Sequence, residues 1–106
     1  MINIEGNCEI GDEKDIVYRE RNRCVALAAK MALELGYNVG IAKHTGEDKG
    51  DNNSVVYIDL PTGQISWHIR DCEKNIFSFL NNYKGNYDGH NTNEKYKRIE
   101  DFTKTN

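Results

Sequence analysis

The sequence predicts an α+β fold: a small antiparallel sheet of about three to four strands, packed on a central N-terminal helix and followed by two C-terminal helices. Three patterns predict it. Apolar residues recur at helical spacing from Asn22 to Leu35, strand-like segments follow as far as Ile69, and amphipathic segments close the chain. A chain of 106 residues buries enough surface for one hydrophobic core but not for two. We therefore expect a single domain over residues 1–106.

Residues 1–20 form the least defined segment. Ile16-Val17-Tyr18 indicates a short strand, but nearby glycines interrupt the pattern. Asn22 then has the side chain of a helix N-cap, and Gly36 has the backbone freedom expected where that helix ends. Between these two residues, apolar side chains cover most of the helix circumference: Cys24, Val25, Leu27, Ala28, Met31, Ala32 and Leu35.

Three strands are expected after this helix, at residues 37–43, 54–60 and 64–69. The middle strand is apolar and β-branched nearly throughout, which predicts burial on both faces. Pro61-Thr62-Gly63 has the composition of a tight turn, with Pro at the first corner and Gly at the left-handed position. Alternation in the third strand places Trp67 and His68 on opposite faces of the sheet.

Two helices are expected to close the chain. Asp71 has the side chain of an N-cap for a short helix with an apolar stripe at Ile76, Phe77 and Leu80. A loop from residue 81 to residue 90 separates it from the last helix. Residues 91–94 have the spacing of a capping box, and the expected buried edge of the last helix consists of Tyr96, Ile99 and Phe102.

Composition and charge exclude several classes of function. A net charge of −3 argues against binding long nucleic acid, which requires a cationic surface. The sequence has no run of about 18 apolar residues that would span a membrane and no signal-peptide pattern at its N-terminus, so we expect a cytoplasmic protein without a membrane partner.

Three widely spaced cysteines, Cys8, Cys24 and Cys72, indicate reduced thiols. Neither a Gly-rich phosphate loop nor metal-ligand spacing is present, so no cofactor or metal is expected.

The candidate ligand-binding residues concentrate in the last half of the sequence. Gln64, Ser66 and His68 share one strand face and form a polar trio, which is also what an ordinary solvent-facing strand presents. Asp88 precedes His90 across a glycine, an arrangement in which a carboxylate orients an imidazole. The other interpretation of this pair is a simple turn before a helix.

Aromatic and cationic residues complete the hypothetical site. Tyr83 and Tyr87 lie in the loop before the last helix, and one of them or Trp67 would stack on a base. Lys95 and Arg98 are three residues apart and therefore share a helix face, where they would hold phosphates.

Two further cations, Arg21 and Arg23, are predicted near the start of the first helix. At a helix N-terminus, guanidinium groups and unpaired backbone N–H groups bind phosphate together. Pairing with acidic neighbours such as Glu20 is the alternative for both arginines. His44 lies in a charged loop and is expected to face solvent.

Two longer motifs, Thr62-Gly63-Gln64-Ile65-Ser66-Trp67-His68 and Tyr87-Asp88-Gly89-His90-x-Thr92-x-Glu94-Lys95-Tyr96, resemble a group of small proteins encoded by bacteriophages and prophages. The resemblance extends over about residues 21–99, with Arg21-Asn22-Arg23 before the first helix. Small accessory phage proteins often act against host defence, and some sequester or cleave the nucleotide signals of bacterial immune systems. The resemblance therefore implies an anti-defence protein.

A second resemblance is topological. Cys24 near the start of a long helix, followed by strands and Trp67, is similar to the papain-like core of transglutaminases. In that family a cysteine at a helix N-terminus is the nucleophile and a histidine on the next strand is its base. The matching position here is near Ser54 or Val55, where no histidine is found. A thiol without its base is a poor nucleophile, so the chain departs from that family in its chemistry.

These observations favour a protein that binds and sequesters a small nucleotide-derived signal. The alternative is a metal-independent phosphodiesterase in which His68 and His90 act as general base and acid. A protein–protein inhibitor without a small-molecule site is the third hypothesis. Because so small a chain is expected to need a partner subunit to close a pocket, a homo-oligomer is favoured.

Overall fold

The computed structural model describes residues 13–43, 54–86 and 91–105. Its elements in chain order are α1 (Glu13–Glu34), β1 (Val39–Lys43), β2 (Ser54–Leu60), β3 (Gly63–Ile69), a 3₁₀ helix (Asp71–Phe77) and α2 (Thr92–Thr105). The predicted α+β class is confirmed, with a 3₁₀ helix in place of the first of the two expected C-terminal helices.

Helix α1 begins at Glu13, well before the expected cap at Asn22. Ile16-Val17-Tyr18 is therefore helical, and the prediction of a strand there was wrong. Asn22 lies inside the helix and is 1% exposed, because its side chain bonds to other elements rather than to a helix end. Leu27 also differs from expectation: it is 51% exposed, so the buried face of α1 is narrower than its apolar sequence suggested.

The end of α1 follows the prediction. Gly36 has a φ of +87°, in the left-handed region. Its N–H donates to the carbonyl of Leu33 (3.0 Å), and the N–H of Tyr37 donates to the carbonyl of Ala32 (2.9 Å). This pair of bonds is the Schellman arrangement, which satisfies the last carbonyls of a helix and turns the chain towards β1.

The sheet is antiparallel in the order β1-β2-β3. Leu60 pairs with Gly63, so Pro61 and Thr62 form a two-residue hairpin loop as expected. The core lies between one face of this sheet and the helices. It is built from small residues of α1, alternate residues of β2 and β3, and the apolar edge of α2: Val25, Ala28, Ala29, Ala32, Val56, Ile58, Ile65, Trp67, Ile69, Ile99 and Phe102.

The second face of the sheet is also covered near its centre, as predicted for β2. Val55 and Tyr57 are 1% and 3% exposed, and Ser66, which pairs with Tyr57, is fully buried. Part of the cover comes from the segment Asn81–Tyr83, which bonds to Ile41 of β1 in the parallel sense.

Gly40 permits this close approach. A Cβ atom at Gly40 would lie closer than 3.0 Å to the Cβ of Tyr83 and to the carbonyl oxygen of Asn81. Only a residue without a side chain therefore fits between β1 and the segment that crosses it.

Helix α2 packs on α1 and lies beside β3, one of the two edge strands of the described sheet. The side chain of Asn91 accepts a hydrogen bond from the N–H of Glu94 (2.9 Å), so the helix is capped where the sequence predicted. Ile99 and Phe102 are buried and Tyr96 is half-buried, which confirms the predicted apolar edge.

A buried polar chain connects α1, β3 and the 3₁₀ helix. The indole N–H of Trp67 donates to Oδ1 of Asn22 (2.9 Å), and Nδ2 of Asn22 donates to Oε2 of Glu73. The other carboxylate oxygen of Glu73 accepts the backbone N–H of Arg70 (2.8 Å) and lies 3.4 Å from Nε of the Arg70 side chain. Arg70 is thus the N-cap residue of the 3₁₀ helix, in place of Asp71.

We expect Asn22→Ala to lower the free energy of unfolding by about 2–4 kcal/mol, because it leaves the buried Trp67 N–H and one Glu73 oxygen without these partners. Urea unfolding followed by the fluorescence of Trp67, the single tryptophan, measures the change. Asn75→Ala is the matched control, since Asn75 is exposed in the 3₁₀ helix and its loss is expected to cost less than about 0.5 kcal/mol. Equal losses in the two variants would contradict the assigned role of Asn22.

Candidate functional site

The structure places Lys95 and Arg98 of α2 against β3, the strand that carries Gln64, Ser66 and His68, at the corner between these two elements. We call this the β3–α2 corner and define it by Gln64, Ser66 and His68 of β3 with Lys95 and Arg98 of α2. Gln64, Lys95 and Arg98 are half-buried, Ser66 is fully buried, and His68 is exposed. The expected polar strand face and the expected cationic helix face therefore meet.

Lys95 makes the closest contact across the corner. Its Nζ donates to the carbonyl oxygen of Ser66 (2.7 Å) and lies 3.4 Å from Oγ of the same residue. The bond gives the carbonyl group of Ser66 a side-chain donor on β3, an edge strand of the described sheet. It also holds the ammonium group beside β3 instead of leaving it in bulk solvent.

Arg98 lies one helical turn further along α2. One of its guanidinium nitrogens, Nη1, is 3.7 Å from the position that a Cβ atom would take at Gly63. The other, Nη2, is 3.5 Å from the carboxylate of Glu94, and both of these side chains are partly exposed. An exposed pair of this kind contributes little to stability, so the guanidinium is able to exchange Glu94 for another anion.

His68 pairs with Val55 across β2 and β3 and points to the second face of the sheet, away from Trp67. Trp67 is 3% exposed and its N–H is bonded to Asn22. The predicted alternation is confirmed. Its consequence is that the indole ring belongs to the core, where no base can stack on it.

Arg21 and Arg23 both lie inside α1, far from its first residue. Because the helix begins at Glu13, neither arginine is at a helix N-terminus, and the expected phosphate site with unpaired backbone N–H groups is absent at residues 21–23. Arg21 instead reaches α2: its Nη2 donates to Oδ1 of Asn93 (3.2 Å), and its Cζ lies 4.9 Å from the centre of the Tyr96 ring. Arg23 is exposed, about 200° around the helix from Arg21.

Gln64 does not present its amide to solvent. Its Nε2 donates to Oδ1 of Asp59, and its Oε1 accepts the backbone N–H of Asn86 (2.5 Å). The hydroxyl of Tyr83 donates to the other oxygen of Asp59 (3.0 Å) and lies 3.4 Å from Gln64 Nε2. Tyr83 is thus fixed on the sheet, with its ring edge-on to that of Tyr57 at a centroid distance of 6.4 Å.

Sequence reasoning missed Asp59 and its hydrogen bonds to Gln64 and Tyr83. Asp59 stands alone as a charged residue in an otherwise apolar strand, and that exception was the available signal. Its partners come from β3 and from the segment after the 3₁₀ helix, so the contacts depend on tertiary structure.

The hydrogen bond to Asp59 raises the pKa of Tyr83, with smaller contributions from burial and from the charge of Asp59. The pKa of Tyr96 is raised mainly by burial and next by Cys24, against the opposing charge of Arg21. Both phenols therefore remain protonated donors or neutral rings at physiological pH. Neither is a general base.

The predicted residues Tyr87, Asp88 and His90 lie outside the described part of the chain, as does His44. The described residues on both sides of residues 87–90 are anchored: the N–H of Asn86 is bonded to Gln64, and Asn91 caps α2. Asn86 is therefore bonded to β3, and Asn91 lies at the start of α2.

The transglutaminase resemblance finds no support in the site. Cys24 is a free thiol in the middle of α1, half-buried, with its Sγ 4.0 Å from Oγ1 of Thr103. Ser54 and Val55 occupy the strand position where that family has its histidine, and both are buried. Within residues 13–43, 54–86 and 91–105, no group of three or more His, Cys, Asp or Glu is arranged to hold a metal ion. No helix among these residues is long and apolar enough to cross a membrane.

We expect Tyr83→Phe to cost about 1 kcal/mol at pH 7 by removing the bond to Asp59. Because the folded-state pKa is raised, this stabilisation is complete below the unfolded-state pKa of about 10 and is lost as the pH rises through the folded-state value. The difference between wild type and Tyr83→Phe in urea unfolding should therefore shrink above about pH 10. Tyr18→Phe is the control, because Tyr18 is exposed. A Tyr83→Phe difference that stays constant with pH would contradict the stabilising role of the bond to Asp59.

A family model described as the WDGH domain matches residues 9–102, which is most of the chain. In the one-letter code that description reads Trp-Asp-Gly-His, and residues 87–90 read Tyr-Asp-Gly-His. No curated protein and no solved structure matches the chain. Because the family model covers both motifs and all the described elements as far as Phe102, the chain belongs to the WDGH domain family.

Proposed function

We propose that this protein binds a small nucleotide-derived anion at the β3–α2 corner and keeps it from its receptor. The observation that supports the proposal best is the placement of Lys95 and Arg98 against β3, the strand on which His68 is exposed. The described residues that flank the Tyr-Asp-Gly-His motif in sequence, Asn86 and Asn91, are bonded to β3 and to the first turn of α2.

The electrostatics fit a small anion better than a polymer. The whole chain carries a net charge of −3, so a long polyanion is repelled over most of the surface. A compact ligand with one or two phosphates needs only a local group of cations. Arg98 offers the planar donors suited to phosphate, and Lys95 is already fixed in place by Ser66, which reduces the entropy lost on binding.

The proposal assigns a role to several of the predicted residues. Lys95 and Arg98 contact phosphate, with Arg21 supporting the start of α2 through Asn93 and Tyr96. His68 and His90 donate hydrogen bonds to the ligand, and Asp88 orients His90. Tyr87 stacks on the base, since Trp67 is enclosed in the core and Tyr83 is bonded to Asp59.

In a biological setting, the proposal is an anti-defence role in the cytoplasm of a bacterium infected by a phage. A sequestering protein benefits from an enclosed site, because enclosure slows ligand release. His68 is exposed among the residues that the structure describes, and we propose that a second copy of the chain covers it and completes the site in a homo-oligomer.

A phosphodiesterase is the second candidate, favoured by the exposed imidazole of His68 close in sequence to the Lys95-bound Ser66. In that reaction one histidine takes the proton from a ribose hydroxyl as it attacks phosphorus. The other protonates the departing oxygen, while a cation stabilises the charge that develops on the phosphate.

One experiment separates these candidates. The purified protein is incubated with a panel of cyclic dinucleotides and cyclic ADP-ribose-type molecules, and the mixture is chromatographed before and after heat denaturation. Intact ligand released only on denaturation supports sequestration, and new products support the phosphodiesterase. If no member of the panel is bound or cleaved, both proposals fail and a protein–protein inhibitor becomes the better hypothesis.

Charge variants then test the place of binding. Arg98→Gln is expected to weaken binding about tenfold or more, the effect of losing a charge-assisted hydrogen bond. Lys97→Gln is the matched control, because Lys97 has the same charge and is exposed on the same helix; its affinity should change less than about twofold. Equal effects of the two substitutions would show that α2 contributes only general charge.

Histidine variants test the imidazole roles. His68→Gln and His90→Gln are expected to weaken binding about tenfold each, as loss of a hydrogen bond to a charged group predicts. His44→Gln, in the loop expected to face solvent, should bind as wild type. A His68→Gln protein that retains full affinity but loses turnover would favour the enzyme.

A further inference from the structure

We infer that Gln64 is a positioning residue that fixes the chain in front of the Tyr-Asp-Gly-His motif, rather than a residue that contacts the ligand. The structural role of Gln64 is inferred from contacts among described residues. Only the expected effect on ligand affinity rests on the proposed function. The inferred role reassigns a side chain that the sequence places on the ligand-facing strand surface.

Both ends of the Gln64 amide are occupied within the protein. The nitrogen donates to Asp59 and the oxygen accepts the N–H of Asn86 at 2.5 Å. Asp59 in turn accepts the hydroxyl of Tyr83 through its other oxygen. We call this set, Gln64, Asp59, Tyr83 and Asn86, the Gln64 clamp.

The chain that the clamp holds is fitted closely to the sheet. A Cβ atom at Gly85 would lie closer than 3.0 Å to three atoms of the Gln64 amide. Gly40 leaves similar room for Tyr83 at the β1 side. Two glycines therefore lie where the segment 81–86 crosses β1 and β3, and both contacts depend on the absence of a side chain.

The amide is the chemical group that this position requires. Asp59 needs a donor and the N–H of Asn86 needs an acceptor, and a carboxamide supplies both at once. A carboxylate keeps the acceptor but places a second negative charge beside Asp59. A hydrocarbon side chain of the same length provides neither bond.

The expected consequence is specific to one backbone site. In Gln64→Met the N–H of Asn86 loses its acceptor, and its hydrogen exchange should become about tenfold faster or more. The indole N–H of Trp67, which is bonded on the opposite face of the sheet, should keep its protection. Exchange measured by two-dimensional NMR on the full chain reports both groups in the same sample.

A Gln64→Glu variant adds a pH readout that general destabilisation would not give. The groups that face this position are Asp59, the Tyr83 hydroxyl and, next along the hairpin, Arg98 beside Gly63. When two carboxyl groups are adjacent, the pKa of one of them is raised, so that group becomes protonated at a higher pH than an isolated carboxyl group. The protonated form again donates to Asp59. Protection of Asn86 should therefore be weak at neutral pH and recover as the pH is lowered, whereas Gln64→Met should show no recovery.

The same variants connect the clamp to binding. With the cyclic dinucleotide that wild type binds best as the probe, Gln64→Met should lose affinity about tenfold, and Gln64→Glu should regain it at the pH where Asn86 protection returns.

If wild type binds no probe, the proposed function fails, but the exchange data still test whether Gln64 holds Asn86. If Asn86 exchanges equally fast in wild type and Gln64→Met, the clamp is overturned. Lost affinity with unchanged Asn86 protection also overturns it, because Gln64 would then act by touching the ligand.

Discussion

The fold depends on the side chain of Asn22, where α1, β3 and the 3₁₀ helix meet. An asparagine inside a helix is unfavourable by propensity, yet this one bonds to Trp67 on one side and to Glu73 on the other. Both partners are buried, so each would be costly without it. In a chain with only 38% hydrophobic residues, a satisfied polar chain of this kind fixes the packing arrangement that a larger apolar core would otherwise specify.

The position of Trp67 determines what β3 shows on its other face. Side chains alternate along a strand, so enclosing Trp67 and Ile65 in the core directs Gln64, Ser66 and His68 away from it. A slip of one residue in the β2–β3 register would exchange the two sets. The buried bond to Asn22 opposes that slip, since the indole N–H would be left unpaired. The core network therefore also orients the candidate site.

The parts of the fold that follow local rules were predictable from the sequence. The Gly36 helix end, the hairpin before Gly63 and the Asn91 cap each depend on neighbouring residues, and the structure confirms all three. The start of α1 was not predictable in the same way. Ile16-Val17-Tyr18 favours a strand locally, and Asn22 has the side chain of a cap, but helix continuity and a tertiary bond outweigh both preferences.

The candidate site also contains some features that local sequence predicts and others that it does not. Lys95 and Arg98 were expected to share a helix face, and their meeting with β3 follows from α2 packing beside the edge strand. Gln64 and Tyr83 were interpreted as ligand contacts because polar and aromatic residues on a strand or loop are typical of binding sites. Asp59 lies opposite Gln64 across the β2–β3 hairpin, so the predicted hairpin already brings these two residues together. Asn86 is 22 residues from Gln64 in sequence, and no local pattern indicates that bond.

The motif from Thr62 to His68 is accordingly a structural motif for most of its length. Gly63 turns the hairpin, Gln64 holds the neighbouring segment, and Trp67 bonds to Asn22. Of its side chains beyond the turn, His68 alone is exposed. In our proposal β3 and the Gln64 clamp therefore provide the structural base, and the residues that contact the ligand are His68, residues 87–90 and the cations of α2.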